Sequence, residues 1–166
     1  MALVAIPHLG RIDSDSLEEY YDAEIEFNNT QLQVDLNFEK KTIEPERLEI
    51  VKSFIENIRI HDLNNKRLIN KDYSDEEGDT VKVYLQHHLE ELGQDELASL
   101  INVNSKSTLH EQQLLQKLHL VRVGIYPDSE SQFAMFDYSL GIDLTNYLVV
   151  LFTDHNGNLD YMTMES

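Results

Sequence analysis

Five oxygen-bearing side chains close to the carboxy terminus are spaced as calcium ligands can be. Asp154, Asn156, Asn158, Asp160 and Glu165 fall at positions 1, 3, 5, 7 and 12 of a twelve-residue loop, the positions from which an EF-hand coordinates its ion. Such a loop also needs glycine at its sixth position for the sharp turn between ligands. Leu159 stands there instead, and Gly157 comes two residues early. The flanks alternate apolar and polar residues as strands do, whereas an EF-hand is framed by helices. Asn156-Gly157 between two alternating runs predicts a type I′ hairpin turn, in which both central residues take positive φ. Calcium is not expected there.

Zinc finds little more. His87 and Glu91 are four residues apart and would share a helix face, but a zinc site needs at least a third ligand. His88 falls on an apolar stripe, where a hydrogen-bonded core imidazole is the ordinary reading. His8, His61, His110, His119 and His155 are scattered. No metal or other cofactor is expected. Cysteine is absent, which removes thiolate nucleophiles, disulfides and sulfur-ligated metals together. No G-x-S-x-G, G-x-x-x-x-G-K-[ST] or G-x-G-x-x-G occurs, so an elbow-type serine nucleophile and a phosphate-cradling loop are not expected either. A carboxylate pair remains as the alternative chemistry, that of a hydrolase or sugar-acting enzyme. With 31 acids in the chain, close pairs arise by coincidence, and only a concave site with a raised pKa would single one out.

The charge is more informative than any motif. Asp and Glu number 31 against 13 Lys and Arg, for a formal net charge of -18 over 166 residues. A field of that sign repels nucleic acid and anionic lipid, so neither is an expected partner. The charges are also segregated. Six of the 13 basic residues lie within 47–71, whereas 123–166 hold no Lys or Arg and seven carboxylates. No stretch approaches a membrane span in length, and the short apolar start, ended by Pro7, lacks the basic residues of a secretion signal. A cytoplasmic location is the expectation.

The elements that must position these residues follow from periodicity. Over 23–39, Ile25, Phe27, Leu32, Val34, Leu36 and Phe38 alternate with polar residues around Asn28-Asn29-Thr30, which predicts a hairpin with one wet face. Asp13 to Tyr21 reads as a short turn or helix leading into it. Leu48, Val51, Phe54, Ile55 and Ile58 recur at three and four, predicting a helix over 45–60 that can continue to Ile69, with Leu63 on its apolar side. A charged loop over 71–79 comes next. Val81, Tyr84, Leu85, His88 and Leu89 mark a further helix stopped by Gly93, and Asp95 can cap a short one. Thr108 to Glu111 matches a capping box opening another. Residues 119–126, 132–139, 146–153 and 159–164 predict four antiparallel strands. The expected fold is one α+β domain over 1–166. It comprises an N-terminal β-hairpin, three or four central helices and a C-terminal four-stranded antiparallel meander, with the helices on one sheet face.

Two stretches carry a resemblance. The opening LGRIDSDSLEEYYDAEIEFNNTQLQVDLNFE and the closing YLVVLFTDHNGNLDYMTMES resemble a family of small uncharacterised bacterial proteins built around a domain of unknown function. Related small domains look like immunity components of bacterial toxin systems, which bind and neutralise a partner. The resemblance implies a binding role and assigns no residue to it.

Charge and resemblance agree on a non-enzymatic acidic protein that binds a basic partner, with a toxin domain such as a nuclease as the expected kind. The rivals are the carboxylate-dependent enzyme and a structural or interaction domain without inhibitory role. The expected contact residues are Asp128, Glu130, Asp137, Asp143 and Asp160, with Tyr138 and Tyr161 as aromatic anchors beside Tyr126 and Tyr147. The net charge itself generates a prediction. Salt screens repulsion beyond roughly 8 Å at physiological strength, so the melting temperature in 0.5 M sodium chloride should exceed that at very low salt. Unchanged or lower stability would mean that local ion pairs outweigh the overall field.

Overall fold

Ahead of the predicted hairpin the chain makes another one. In the computed structural model, which describes residues 2–166, β1 (Leu3–Ile6) and β2 (Gly10–Asp13) pair antiparallel. The turn takes His8 and Gly10 through positive φ, 68° and 84°. This small ribbon buries Val4, Ile6 and Ile12 and packs β1 against the first helix. Residues 14–19 form a turn and an irregular link rather than a helix.

The expected hairpin follows as β3 (Tyr20–Phe27) and β4 (Thr30–Asn37), joined by Asn28 and Asn29 at φ 50° and 66°. Two consecutive positive φ values make the two-residue turn that asparagine tolerates best among residues with a side chain. Leu32, Val34 and Leu36 are wholly buried, while Asp22, Glu24 and Glu26 stand exposed on the other face.

Among the described residues five α-helices follow, against the expected three or four. α1 (Pro45–Glu56) opens on proline, whose missing N–H is harmless in a first turn, and buries Leu48, Val51, Phe54 and Ile55. It stops at Asn57, whose side-chain amide donates to the Ser53 carbonyl at 2.8 Å. This local bond competes with the helix ladder, and α2 (Ile58–Ser74) starts afresh directly after Asn57. The buried positions keep their spacing through Ile58, Asp62, Asn65 and Ile69, so Asp62 and Asn65 turn inward and Leu63 is exposed. α3 (Val81–Glu91) ends at Leu92, and Gly93 serves as the N-cap of α4 (Gln94–Leu100). The Glu96 carboxylate accepts the Gly93 N–H at 3.0 Å, so Gly93 opens a helix instead of closing one. A single 3₁₀ turn over Ser107–Leu109 leads into α5 (His110–Lys117), with no side-chain cap from Thr108. Among the described residues no helix is long and apolar enough to cross a membrane.

β5 (His119–Ile125), β6 (Ala134–Ser139), β7 (Leu148–Thr153) and β8 (Leu159–Glu165) form the expected meander. It does not stand apart from the hairpin. β5 pairs in parallel with β4, so one six-stranded sheet runs β3-β4-β5-β6-β7-β8. A parallel pair needs a long crossover, and the whole helical segment supplies it. The helices cover one sheet face: Phe54 packs on Phe133 and Phe136, and the Tyr138 hydroxyl donates to Asp62 at 2.6 Å. The fold is α+β.

One turn departs from expectation. Asn156 does not take positive φ, whereas Gly157 does, at 86°. The loop is closed by Asp154, whose Oδ1 accepts the N–H groups of Asn156 and Asn158, both at 2.9 Å, while the ladder slips between Phe152 and Thr153. A carboxylate-capped, bulged loop has replaced the type I′ turn.

Candidate functional site

The second face of the sheet carries the polar chemistry. Cross-strand partners share a face, so Tyr20, Asp22, Glu24 and Glu26 of β3 lie beside Asn37, Asp35, Gln33 and Gln31 of β4. Next come Arg122 and Gly124 of β5, Asp137 and Met135 of β6, Val150 and Phe152 of β7, and Thr163, Tyr161 and Glu165 of β8.

At its centre is an ion pair. Asp35 has none of its surface exposed, and Arg122 grips it in a fork, Nε to Oδ2 at 2.7 Å and Nη2 to Oδ1 at 2.9 Å. Asn37 adds a donor at 2.7 Å to Oδ1, and Gln33 a long one at 3.4 Å to Oδ2. Burial alone would lower the Arg122 pKa, but the bonds to Asp35 and Tyr126 raise it overall. The guanidinium therefore stays charged. Two backbone features place it. A bulge between Leu120 and Arg122 lets Leu120 face the helices while Arg122 faces Asp137, a re-aiming that bulges typically produce. Gly124 then leaves room for the guanidinium to lie along the strand, because a Cβ there would stand 3.0 Å from Arg122 Nη2 and 3.2 Å from Tyr126 Cε2. The Arg122 Nη2 also donates to the Tyr126 hydroxyl at 3.2 Å.

Asp137 is the less settled carboxylate. Its Oδ2 is 3.6 Å from Arg122 Nη1, and its Oδ1 is buried without a hydrogen-bond partner. Burial raises its pKa to about 6, outweighing the pull of Arg122, and the charges of Glu165 and Asp35 push the same way.

Six carboxylates, Asp22, Glu24, Glu26, Asp35, Asp137 and Glu165, thus share this face with one guanidinium. A cavity of about 640 Å³ opens at the end of the face where β4 and β5 finish. Tyr126, Met135 and Phe152 supply apolar walls, and Glu39 and Asp128 supply carboxylates.

The residues expected to form one contact surface are distributed over several. Asp128 reaches the cavity, held by the Glu39 N–H at 2.7 Å. Asp160 is exposed nearby and accepts from Gln132 at 3.2 Å. Tyr161 is exposed and stacks on Phe152 with centroids 4.6 Å apart. Glu130 is exposed and lines an adjoining depression with Lys40 and Arg47, which Asp128 borders as well. Asp143 is exposed at the opposite end of the sheet, beside His87 and Tyr147. Two assignments need correction. Tyr138 has no exposed surface and points at α2, because it follows Asp137 directly in one strand and successive residues face opposite ways. Asp137 is 6% exposed and cannot offer a free charge at the surface.

Sequence reasoning passed over Asp35, Arg122, Gly124 and the row Asp22, Glu24 and Glu26, and named Tyr126 only beside the expected anchors. The alternation that marked the hairpin's wet face already placed that row on it. Nothing local announced the Arg122 contacts, which depend on a bulge and a parallel pairing.

Two other arrangements resemble chemistry. Thr145 Oγ1 lies 2.8 Å from His88 Nε2, and His88 Nδ1 lies 2.7 Å from the Tyr84 carbonyl. A carbonyl only accepts, so Nδ1 carries the proton and the Thr145 hydroxyl donates to Nε2. This is the layout of a nucleophile, a base and an orienting group. Thr145 Oγ1 also accepts the Tyr147 N–H at 3.0 Å, and the Tyr84 hydroxyl donates to the Tyr147 carbonyl at 2.9 Å. His88 is 1% exposed, so the network fastens the β6–β7 loop to α3. In the would-be calcium loop, both Asp154 oxygens are engaged by Asn156 and Asn158, and Glu165 lies at the far end of β8. Among the described residues no group of three or more His, Asp or Glu side chains is placed to hold a metal.

No family model, curated protein or solved structure matches the chain. The functional reading rests on this geometry.

Asp137 sets a testable pH dependence. Its folded pKa of about 6 exceeds its ordinary 3.8, so its contribution to stability is complete below about pH 4 and is lost as pH rises through 6. Asp137→Asn removes that loss. In urea unfolding, the variant's advantage over the parent should grow by on the order of 2–3 kcal/mol between pH 4 and pH 7. A difference that stays constant across this window would show that Asp137 ionises without penalty.

Proposed function

We propose that this chain is a non-enzymatic acidic binding protein that occupies a basic protein partner with the open face of its sheet, in the manner of an immunity protein. The observation that carries the reading is the charge balance of that face. Its one guanidinium is already committed to Asp35, which leaves the exposed Asp22, Glu24 and Glu26 without a basic residue opposite them. Such a row steers a positively charged partner and raises its association rate. Phe152 and Tyr161 provide apolar area of the kind that anchors a contact once formed. The row has a second effect, since charge on an edge strand discourages pairing with another chain.

A carboxylate-dependent hydrolase is the rival reading, and the raised pKa of Asp137 is what favours it. Against it stands the burial of Asp137 Oδ1, which leaves a substrate no path to that oxygen.

The test is kinetic. Products of genes adjacent to this one supply the candidate partners, and the captured one is used for association measurements at several salt concentrations. Neutralising Asp22, Glu24 and Glu26 to their amides should lower the association rate several-fold, flatten its salt dependence and leave dissociation less affected. The comparison variant neutralises Glu44, Glu46 and Glu49, which sit at and beside α1 with Arg47 and Lys52. An acidic partner, or an equal loss from the α1 variant, would refute the acidic-face reading.

A further inference from the structure

We infer that the cavity at the end of the open face receives an arginine side chain of the basic partner, with the guanidinium against Tyr126 or Phe152 and its charge met by Asp128 and Glu39. This deepens the binding reading and rests on it. At about 640 Å³ the cavity is of ligand-binding size and has room for a long side chain with part of its backbone. Its composition selects a flat cation: aromatic and thioether walls from Tyr126, Phe152 and Met135, carboxylates at Asp128 and Glu39, and no Lys, Arg or His among its lining residues.

The chain's own guanidinium groups do not line the space, although Arg47 donates to the Ser129 carbonyl beside it at 3.4 Å. Arg122 lies along the strand toward Tyr126 but is tied to Asp35 at 2.7 and 2.9 Å, with the Tyr126 hydroxyl accepting from it, and it is not among the lining residues. Tyr126 therefore meets a satisfied arginine through its hydroxyl and also lines the acidic cavity. The walls are also braced before any partner arrives. Phe152 is stacked on Tyr161 at 4.6 Å, and Asp128 is fixed by the Glu39 N–H at 2.7 Å. Arginine suits this lining better than lysine, because a guanidinium stacks on aromatic rings and pairs with carboxylates in the same pose.

The probe is N-acetyl-arginine methylamide, titrated into the full chain and followed by NMR, with the uncharged citrulline analogue as control. Saturable shifts should concentrate at Tyr126, Met135 and Phe152, and citrulline should bind at least about fivefold more weakly. Asp128→Asn keeps an acceptor for the Glu39 N–H and should weaken arginine about three- to tenfold. Phe152→Leu should do likewise by removing the stacking surface, and Asp143→Asn at the other end of the sheet should leave binding unchanged. The inference is overturned by equal binding of citrulline, by shifts spread along β3 instead of the cavity, or by no saturable shift up to about 50 mM. The two readings fail separately. If the cavity takes no arginine while neutralising Asp22, Glu24 and Glu26 still slows partner association, the anchor is wrong and the acidic face stands.

Discussion

Asp35 is a carboxylate with no surface in water, placed one strand in from the edge and directly opposite Asp22. Left alone, such a group would take up a proton or disrupt the strand, because an uncompensated buried charge costs several kcal/mol. Arg122 meets it with two hydrogen bonds from across the β4–β5 seam. At that seam the β3–β4 hairpin joins the C-terminal meander within the sheet, and the helical segment lies between its two strands in sequence. The pair therefore fixes more than its own geometry. It ties together the halves of the sheet through residues 87 positions apart in sequence.

The same pair shapes the electrostatics of the face. An arginine free on an acidic surface would offset its neighbours; this one is consumed by a buried partner. The exposed acids on β3 keep their field, and Asp137, sharing the guanidinium at 3.6 Å, is left with a pKa of about 6. Packing has the matching asymmetry. Apolar side chains of the sheet go under the helices, where Phe54, Phe136 and Tyr138 close the core, and the uncovered face retains carboxylates at one side and Met135, Phe152 and Tyr161 at the other. A surface arranged in that way has a steering part and an anchoring part.

Local pattern revealed the elements, and long-range pairing decided the site. Period-two alternation around Asn28-Asn29 found β3 and β4 because both asparagines accept positive φ, and four alternating runs found the meander. The helix interruption at Asn57 was hidden, since a side-chain bond to the Ser53 carbonyl leaves the apolar period intact. Asn156-Gly157 misled on turn type because Asp154 caps the loop from outside the dipeptide. Asp137 and Tyr138 were grouped as one surface by charge and composition, although neighbours in a strand face apart. Arg122 marked only the end of the basic residues in the sequence. Its contact with Asp35 needs the bulge after Leu120, the space over Gly124 and a parallel strand partner, none of which has a local signature. The cavity is less legible still, being assembled from residues after β4, between β5 and β6, and on β7.

The claim that one buried ion pair secures the sheet is open to a double-mutant cycle in urea at neutral pH, using Asp35→Asn, Arg122→Met and the two combined. Arg122→Met alone leaves Asp35 buried and unmatched, and should lose about 3–5 kcal/mol. Adding Asp35→Asn should then recover part of that loss, giving a coupling energy above about 1.5 kcal/mol. Single effects that add to within about 0.5 kcal/mol would contradict the account, because the two side chains would then act independently and the seam would be held by its backbone ladder alone.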